Sequence, residues 1–244
     1  MSKIAIVAAL EREVRPLVRG WATMRVEDSG RTFESYVNDQ AVVVCGGMGA
    51  NAGRRAAEAI LNSVQPVLVV SAGFARALRY DQHVADITIP AEVVDIAGKK
   101  SFRTLFGRGR LWTSFQVVEN STPPDGLQLF DCWAVDMEAA GVAEAAAAHN
   151  VPFVAIKSIS DEAQFKMPPV GKFISADGAF RTAAFAMHVA LRPRTWGAVA
   201  ALAANSSLAA EKLCTALRSL IEYKTVQGYD LQVELAKIGV EVAP

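Results

Sequence analysis

Three sets of carboxylates stand just beyond stretches apolar enough to be buried. Glu13 follows the run Ile4-Ala5-Ile6-Val7-Ala8-Ala9, Asp136 and Glu138 flank Met137 ahead of an Ala-rich segment, and Asp161 directly follows Ile156-Lys157-Ser158-Ile159-Ser160. Carboxylates so placed are candidates for proton transfer. Each also has a plainer reading. A carboxylate in a first helical turn, as Asp136 or Glu138 would be, serves the helix dipole at about 0.3–1 kcal/mol. Asp161 after a strand fits a turn or a helix cap, and Glu13 fits a solvated helix face. The cluster Gly46-Gly47-Met48-Gly49 precedes a helix as phosphate-binding turns do, but it lacks the dinucleotide spacing and the Lys-Ser/Thr of a P-loop, so a tight strand-to-helix turn explains it equally well. There is no Gly-x-Ser-x-Gly elbow, and Cys45 has no evident histidine partner.

The elements that must position these groups follow from periodicity. Lys3 to Ala9 is a nearly all-apolar run, as expected of a strand buried on both faces. Leu10 to Val18 then reads as a helix with Leu10, Val14, Leu17 and Val18 on one face. Residues 32–46 predict a hairpin turning at Asn38-Asp39, and Ala50 to Leu61 a helix. Val67 to Gly73 and Pro152 to Ser160 are further doubly buried strands, Val84 to Ile89 is another, and Leu111 to Val118 is the one strand-like run in the poorly patterned residues 95–125. Asp136 to Asn150 reads as an Ala-rich helix, 161–177 as a loop, and Gly178 to about Glu222 shows helical periodicity. Alternating strands and helices imply an α/β fold, a three-layer αβα sandwich around a mixed sheet. Ligands of such sheets sit beyond the carboxyl ends of the strands. That rule points to Ala8–Glu13, Gly46–Gly49, Ser71–Arg76 and Ser158–Glu162.

Composition narrows the function classes. The 244 residues carry 25 acidic and 25 basic side chains, which excludes the basic excess of a general nucleic-acid binder. A hydrophobic content of 52% with 20% charge excludes a disordered chain. The Ala-rich uncharged run between Arg194 and Glu211 has 16 residues and contains Asn205, Ser206 and Ser207, too short and too polar for a membrane span. The start has no room for a secretion signal. Cys45, Cys132 and Cys214 are odd in number and far apart, and His83, His149 and His188 share no ligand spacing, so no metal site or disulfide framework is expected. The expectation is a cytoplasmic, metal-free protein with one domain over 1–222 and a carboxyl-terminal extension over 223–244.

In combination the motifs say more. Ala134-Val135-Asp136-Met137-Glu138-Ala139-Ala140-Gly141 with Asn150-Val151-Pro152 through Ser160-Asp161 resembles the signature block of the purine nucleoside phosphorylase/uridine phosphorylase superfamily. Ile4 to Val14 is similar to the amino terminus of the methylthioadenosine/S-adenosylhomocysteine nucleosidases, and Val67 to Leu78 with Val84-Ala85-Asp86-Ile87 resembles the next two strands of that family. A looser likeness, carried by Met167-Pro168-Pro169, Asp177-Gly178 and Leu191-Arg192-Pro193, is to the hopanoid-associated phosphorylase branch.

The resemblance implies a nucleoside phosphorylase-like fold and cleavage of a purine N-glycosidic bond, the base being adenine. Asp161 would protonate the purine at N7, Glu138 would accept hydrogen bonds from the ribose hydroxyls with Met137 packed on the sugar, and Glu13 would activate water. Ser160, Gly73, Phe74 and Val117 would complete the substrate site, with Phe115 a second candidate for stacking on the base. In a phosphorylase, inorganic phosphate would be co-substrate, with Arg76 and Gly47 holding it; no other cofactor is implied. The narrower likeness implies an adenosylhopane-type substrate. The family also implies a homo-oligomer, dimer or larger. Three departures alter this pattern: Phe74 and Arg76 stand where small residues are usual, and Lys157 stands where nucleosidases often carry arginine. Arg76 is read either as a phosphate ligand or as a surface or salt-bridged arginine. The contrasting class is a non-catalytic nucleoside-binding protein of the same fold.

Overall fold

Side chains alternate across a buried strand, so each strand must satisfy two apolar layers at once. In β1 (Ile4–Ala8), Ala5 and Val7 join one core cluster while Ile4, Ile6 and Ala8 join the other. The computed structural model describes residues 3–118, 132–175 and 178–223. After β1 the chain runs through α1 (Glu11–Val18), β2 (Ala22–Asp28), β3 (Arg31–Val37), β4 (Ala41–Cys45), α2 (Ala50–Ser63) and β5 (Leu68–Ala77). The short strands β6 (Ile87–Thr88), β7 (Glu92–Asp95), β8 (Lys100–Arg103) and β9 (Arg110–Thr113) follow, then β10 (Cys132–Asp136), α3 (Ala139–Ala148), β11 (Phe153–Asp161), α4 (Thr182–Ala190) and α5 (Trp196–Tyr223).

The described strands form one mixed sheet in the order β2-β3-β4-β1-β5-β10-β9-β7-β8, with β11 paired to β5 and β6. β1 lies parallel to β4 and β5, and β11 is parallel to β5, whereas β10 meets the end of β5 antiparallel. One cluster packs α2 and α3, through Ala56, Ile60, Val142 and Ala146, on Val7, Val44 and Ala155. The other packs α1 and the second half of α5, through Val14, Leu17, Leu213 and Leu217, on Ile6, Val70 and Ile156. The three-layer αβα sandwich with a mixed sheet is therefore the observed fold.

Several elements differ from the sequence expectation. The hairpin forms as β3 and β4, its turn held by the Asn38 carboxamide accepting from the amides of Gln40 (2.9 Å) and Ala41 (2.8 Å). The exposed strand β2 lacks an apolar pattern because Val26 is its one buried residue. The strand expected over 84–89 pairs at Ile87–Thr88 alone, and the one expected over 111–118 is β9, ending at Thr113. The helix expected from Asp136 begins at Ala139, since residues through Asp136 belong to β10. The helical periodicity from Gly178 is realised as two helices, α4 and α5, separated at Pro193, which cannot continue α4. Of the expected extension over 223–244, all but Tyr223 lies outside the described residues. No helix among the described residues is long and apolar enough to cross a membrane.

Candidate active site

The carboxyl ends of β1, β5, β10 and β11 open into one cavity of about 550 Å³. Its lining includes Glu13, Phe74, Arg76, Val117, Met137, Glu138, Ser160 and Asp161. A volume of this size suits a drug-sized or nucleoside-sized ligand. All four strand ends named from the topology rule contribute lining residues, Gly46–Gly49 through Met48 alone.

Glu13 reaches the cavity because α1 starts immediately after β1. Its carboxylate folds back over the helix start and accepts from the backbone amides of Ala9 (3.2 Å) and Leu10 (3.3 Å). A glutamate in the first turn satisfies donors that the helix leaves unpaired. The side chain is nevertheless buried, and that desolvation raises its pKa against the pull of the Leu10 amide and of Lys157. Gly73 explains how it fits. With φ at +150° and a would-be Cβ 3.1 Å from Glu13 Oε2 and 3.7 Å from Lys157 Nζ, position 73 leaves no room for a side chain. Gly73 thus borders the carboxylate from behind and is not itself part of the cavity wall.

Asp136 and Glu138, only two residues apart, do different jobs. Asp136 Oδ2 caps α3, accepting from the amides of Ala139 (2.8 Å) and Glu138 (3.3 Å), while Oδ1 accepts from the Thr113 hydroxyl at 2.7 Å. It also pairs with Lys157 Nζ at 2.8 Å, and both side chains are fully enclosed. The ammonium donates as well to Ser71 Oγ at 3.1 Å. Glu138 aims into the cavity and accepts from the Gly49 amide at 2.8 Å. That bond requires α2 and α3 to start side by side, and a Cβ on Gly141 would lie 1.9 Å from the Ala50 carbonyl oxygen. Burial first, then the charges of Asp136 and Glu13, push the Glu138 carboxyl up to about 8, against Lys157 and the Gly49 amide. For Lys157, burial alone would lower the pKa, but Asp136, Glu138 and Glu13 outweigh it and the ammonium is held above its ordinary value.

Asp161 ends β11, where the register with β5 slips between Ile159 and Asp161. Such irregularities re-aim a side chain. Its carboxylate accepts from Ser160 Oγ at 2.7 Å and from Arg76 Nη1 at 2.9 Å. Burial raises the Asp161 pKa, while the Ser160 hydroxyl and then Arg76 oppose the rise. Arg76 is the salt-bridged arginine of the two readings offered for it. Its Nη2 donates to the carbonyls of Ala163 and Phe165, both at 2.9 Å, and Nε is buried without an acceptor. Gly47 also differs from its expectation as a phosphate donor, since its amide already donates to the Ala9 carbonyl at 2.9 Å.

Among the stacking candidates, Val117 lines the cavity, whereas Phe115 is 73% exposed and lies in an adjoining depression. Two features were not foreseen. Lys157 joins the carboxylates as a buried counter-charge, and the signal for it was a lysine inside an otherwise apolar strand. Arg12 lies over the Phe180 ring, 5.9 Å from its centroid, at the cavity edge. Phe180, Phe185, Val199 and Leu202 close the far side. Cys45 stays a thiol, since burial and then Glu13 and Glu11 push it up to about 12. Among the described residues no cluster of His, Cys, Asp and Glu is placed to hold a metal ion.

Known proteins resemble the chain along most of its length. The 5′-methylthioadenosine/S-adenosylhomocysteine nucleosidase of Bacillus cytotoxicus is 26% identical over 197 residues, covering 65% of this chain and 85% of that one. In fold, the chain is similar to the 5′-methylthioadenosine nucleosidase of Arabidopsis thaliana, with a TM-score of 0.69 at 18% identity over 95% of this chain and 98% of the other. It is also similar to the futalosine hydrolase of Helicobacter pylori, with a TM-score of 0.64 at 17% identity over 91% and 98% of the two chains. The sequence model of the phosphorylase superfamily matches residues 3–126 and 106–192, which include the strand ends that open into the cavity, and the chain belongs to that superfamily of enzymes.

Proposed function

We propose that the protein hydrolyses the N-glycosidic bond of a purine nucleoside, releasing adenine. The observation that carries this reading is the convergence of Glu13, Glu138 and Asp161 on one cavity, Glu13 and Asp161 buried, Glu138 half-buried, and each in a different hydrogen-bonding environment. Breaking the bond between C1′ and the purine nitrogen leaves positive charge on the sugar and negative charge on the base. Asp161 donates its proton to N7, so the base leaves neutral. Its raised pKa favours the protonated form needed beforehand, and Arg76 stabilises the carboxylate left behind. Water adds to C1′ and gives its proton to Glu13, which its enclosed setting makes a stronger base than a free carboxylate. Glu138 accepts hydrogen bonds from the ribose hydroxyls, and Met137 packs on the sugar.

Water is favoured over phosphate because the groups that would hold the anion are engaged: Arg76 by Asp161 and two carbonyls, Gly47 by Ala9. The nucleosidase relatives are consistent with this choice. The far wall of Phe180, Phe185, Val199 and Leu202 is apolar and supports a nucleoside with an apolar 5′ substituent, up to the size of an adenosylhopane.

Base release from methylthioadenosine, adenosine and inosine, followed with and without inorganic phosphate, tests the reading. Phosphate-independent release of adenine is expected. Strict phosphate dependence would replace hydrolysis by phosphorolysis, and no release from any nucleoside would remove the enzymatic reading. Binding by Asp161→Asn separates an enzyme from a nucleoside-binding protein: affinity should stay within about tenfold while turnover collapses.

A further inference from the structure

The side of the molecule beyond the apolar cavity wall has a composition unlike the rest. Every residue of α4 is at least partly exposed, although the helix reads Thr-Ala-Ala-Phe-Ala-Met-His-Val-Ala. Met187 is 69% exposed and Leu191 75%, and their spacing of four puts them on one helix face. Trp196, 54% exposed, closes the end of this patch, its indole N–H donating to the Val189 carbonyl at 2.9 Å. Singly exposed apolar residues are ordinary, but an apolar helix end with an anchored tryptophan is an interaction surface.

The charge around the patch identifies the partner. Between Glu162 and Glu211 the sequence has five basic residues, Lys166, Lys172, Arg181, Arg192 and Arg194, and one acidic residue, Asp177. A chain neutral as a whole therefore carries four excess positive charges in this segment. Lys172, Arg181, Arg192 and Arg194 meet no carboxylate among the described residues, and Arg192 instead leans on the His188 ring at 3.0 Å. Apolar side chains with a tryptophan at the boundary and unpaired arginines beside them match an anionic lipid surface. A second copy of the chain fits less well, because a two-fold contact would bring the same arginines against each other. No described helix spans a bilayer, so the contact would be peripheral.

We propose that the α4 face, from Met187 to Trp196, docks the protein on membranes rich in anionic lipid. α4 and α5 supply Phe185, Val199 and Leu202 to the cavity wall, and Phe180 stands just ahead of α4, so docking would bring the cavity close to the bilayer. The proposal concerns binding and does not depend on the reaction assigned to the cavity.

Flotation of the full-length protein with phosphatidylcholine vesicles, compared with vesicles holding about one third phosphatidylglycerol, tests it. Binding is expected only to the anionic vesicles and should weaken steeply with salt. Arg192→Glu with Arg194→Glu should weaken it by about tenfold or more, and Met187→Ser with Leu191→Ser by a similar factor. Both variants should melt as the parent does and keep their turnover of a water-soluble nucleoside. Absence of binding to anionic vesicles, or equal binding by the variants, overturns the proposal. So does a change in oligomeric state in the Met187→Ser/Leu191→Ser protein, which would assign the patch to a second copy of the chain.

Discussion

On the sheet side of the cavity, Glu13, Asp136, Lys157 and Asp161 are each 5% exposed or less, and each side chain is fixed by at least two polar partners. On the helix side, α4 exposes part of every residue, and Phe173, Phe180 and Phe185 meet edge-on or tilted, with centroids 5.3–5.4 Å apart. The first wall is a polar network held inside the core. The second is a thin apolar layer. Chemistry needs fixed donors and acceptors, while accommodation of a substituent needs only shape and apolar surface. Under the proposed reaction, bond cleavage would fall to the sheet and substrate range to the helices.

Substitutions on the two walls should therefore differ in kind. The largest effect is expected from Asp161→Asn, a loss of roughly 10²–10⁴ in kcat with little change in melting temperature, read by adenine release. Next, Lys157→Met strands the Asp136 carboxylate in the core and should destabilise the fold by about 3–5 kcal/mol in urea unfolding. An equal loss from a substitution within α4 would erase the distinction between the walls.

Glu138 gives a prediction in pH. Its folded value, pushed up to about 8, lies above its ordinary 4.5, so its contribution to stability is complete below about pH 4.5 and is lost as pH rises through about 8. Glu138→Gln should flatten that part of the melting profile. Nucleoside binding runs the other way, because the acceptor is the carboxylate: KM should fall as pH rises toward 8, and this trend should vanish in the same variant. Arg76→Gln sharpens the account of Asp161. Removing the guanidinium should raise the Asp161 pKa further and move the alkaline limb of kcat to higher pH. The smallest effect is expected from Leu202→Ala, about threefold in KM for methylthioadenosine and about tenfold for a nucleoside with a longer apolar 5′ chain.

These two walls were also unequally legible in the sequence. Glu13, Glu138 and Asp161 could be named because each follows a segment whose apolar run marks it as buried, and the order of those segments carries the family pattern. Asp136 was less clear, since a helix-capping role and an ion pair with Lys157 leave the same trace in one dimension. Arg76 was ambiguous for a related reason: only the register of β5 against β11 brings it to Asp161. On the helix side, Ala-rich composition hid the boundary between α4 and α5, although Pro193 was the available signal. The exposed strand β2 and the short β7 and β8 offered almost no alternation to read, because they bury few side chains.

β11 carries both Lys157 and Asp161, and five successive positions from one to the other are buried. At about 3.3 Å per residue, the strand is a ruler that fixes how far the Lys157 cluster lies from Asp161, the proposed proton donor. Loops can lengthen a substrate pocket without touching that interval. A single residue gained or lost between Lys157 and Asp161 would turn one of them to the opposite face of the sheet. Under the proposed roles, the distance from sugar to base would be written into the backbone of one strand, and new substrates would be accommodated beyond its ends.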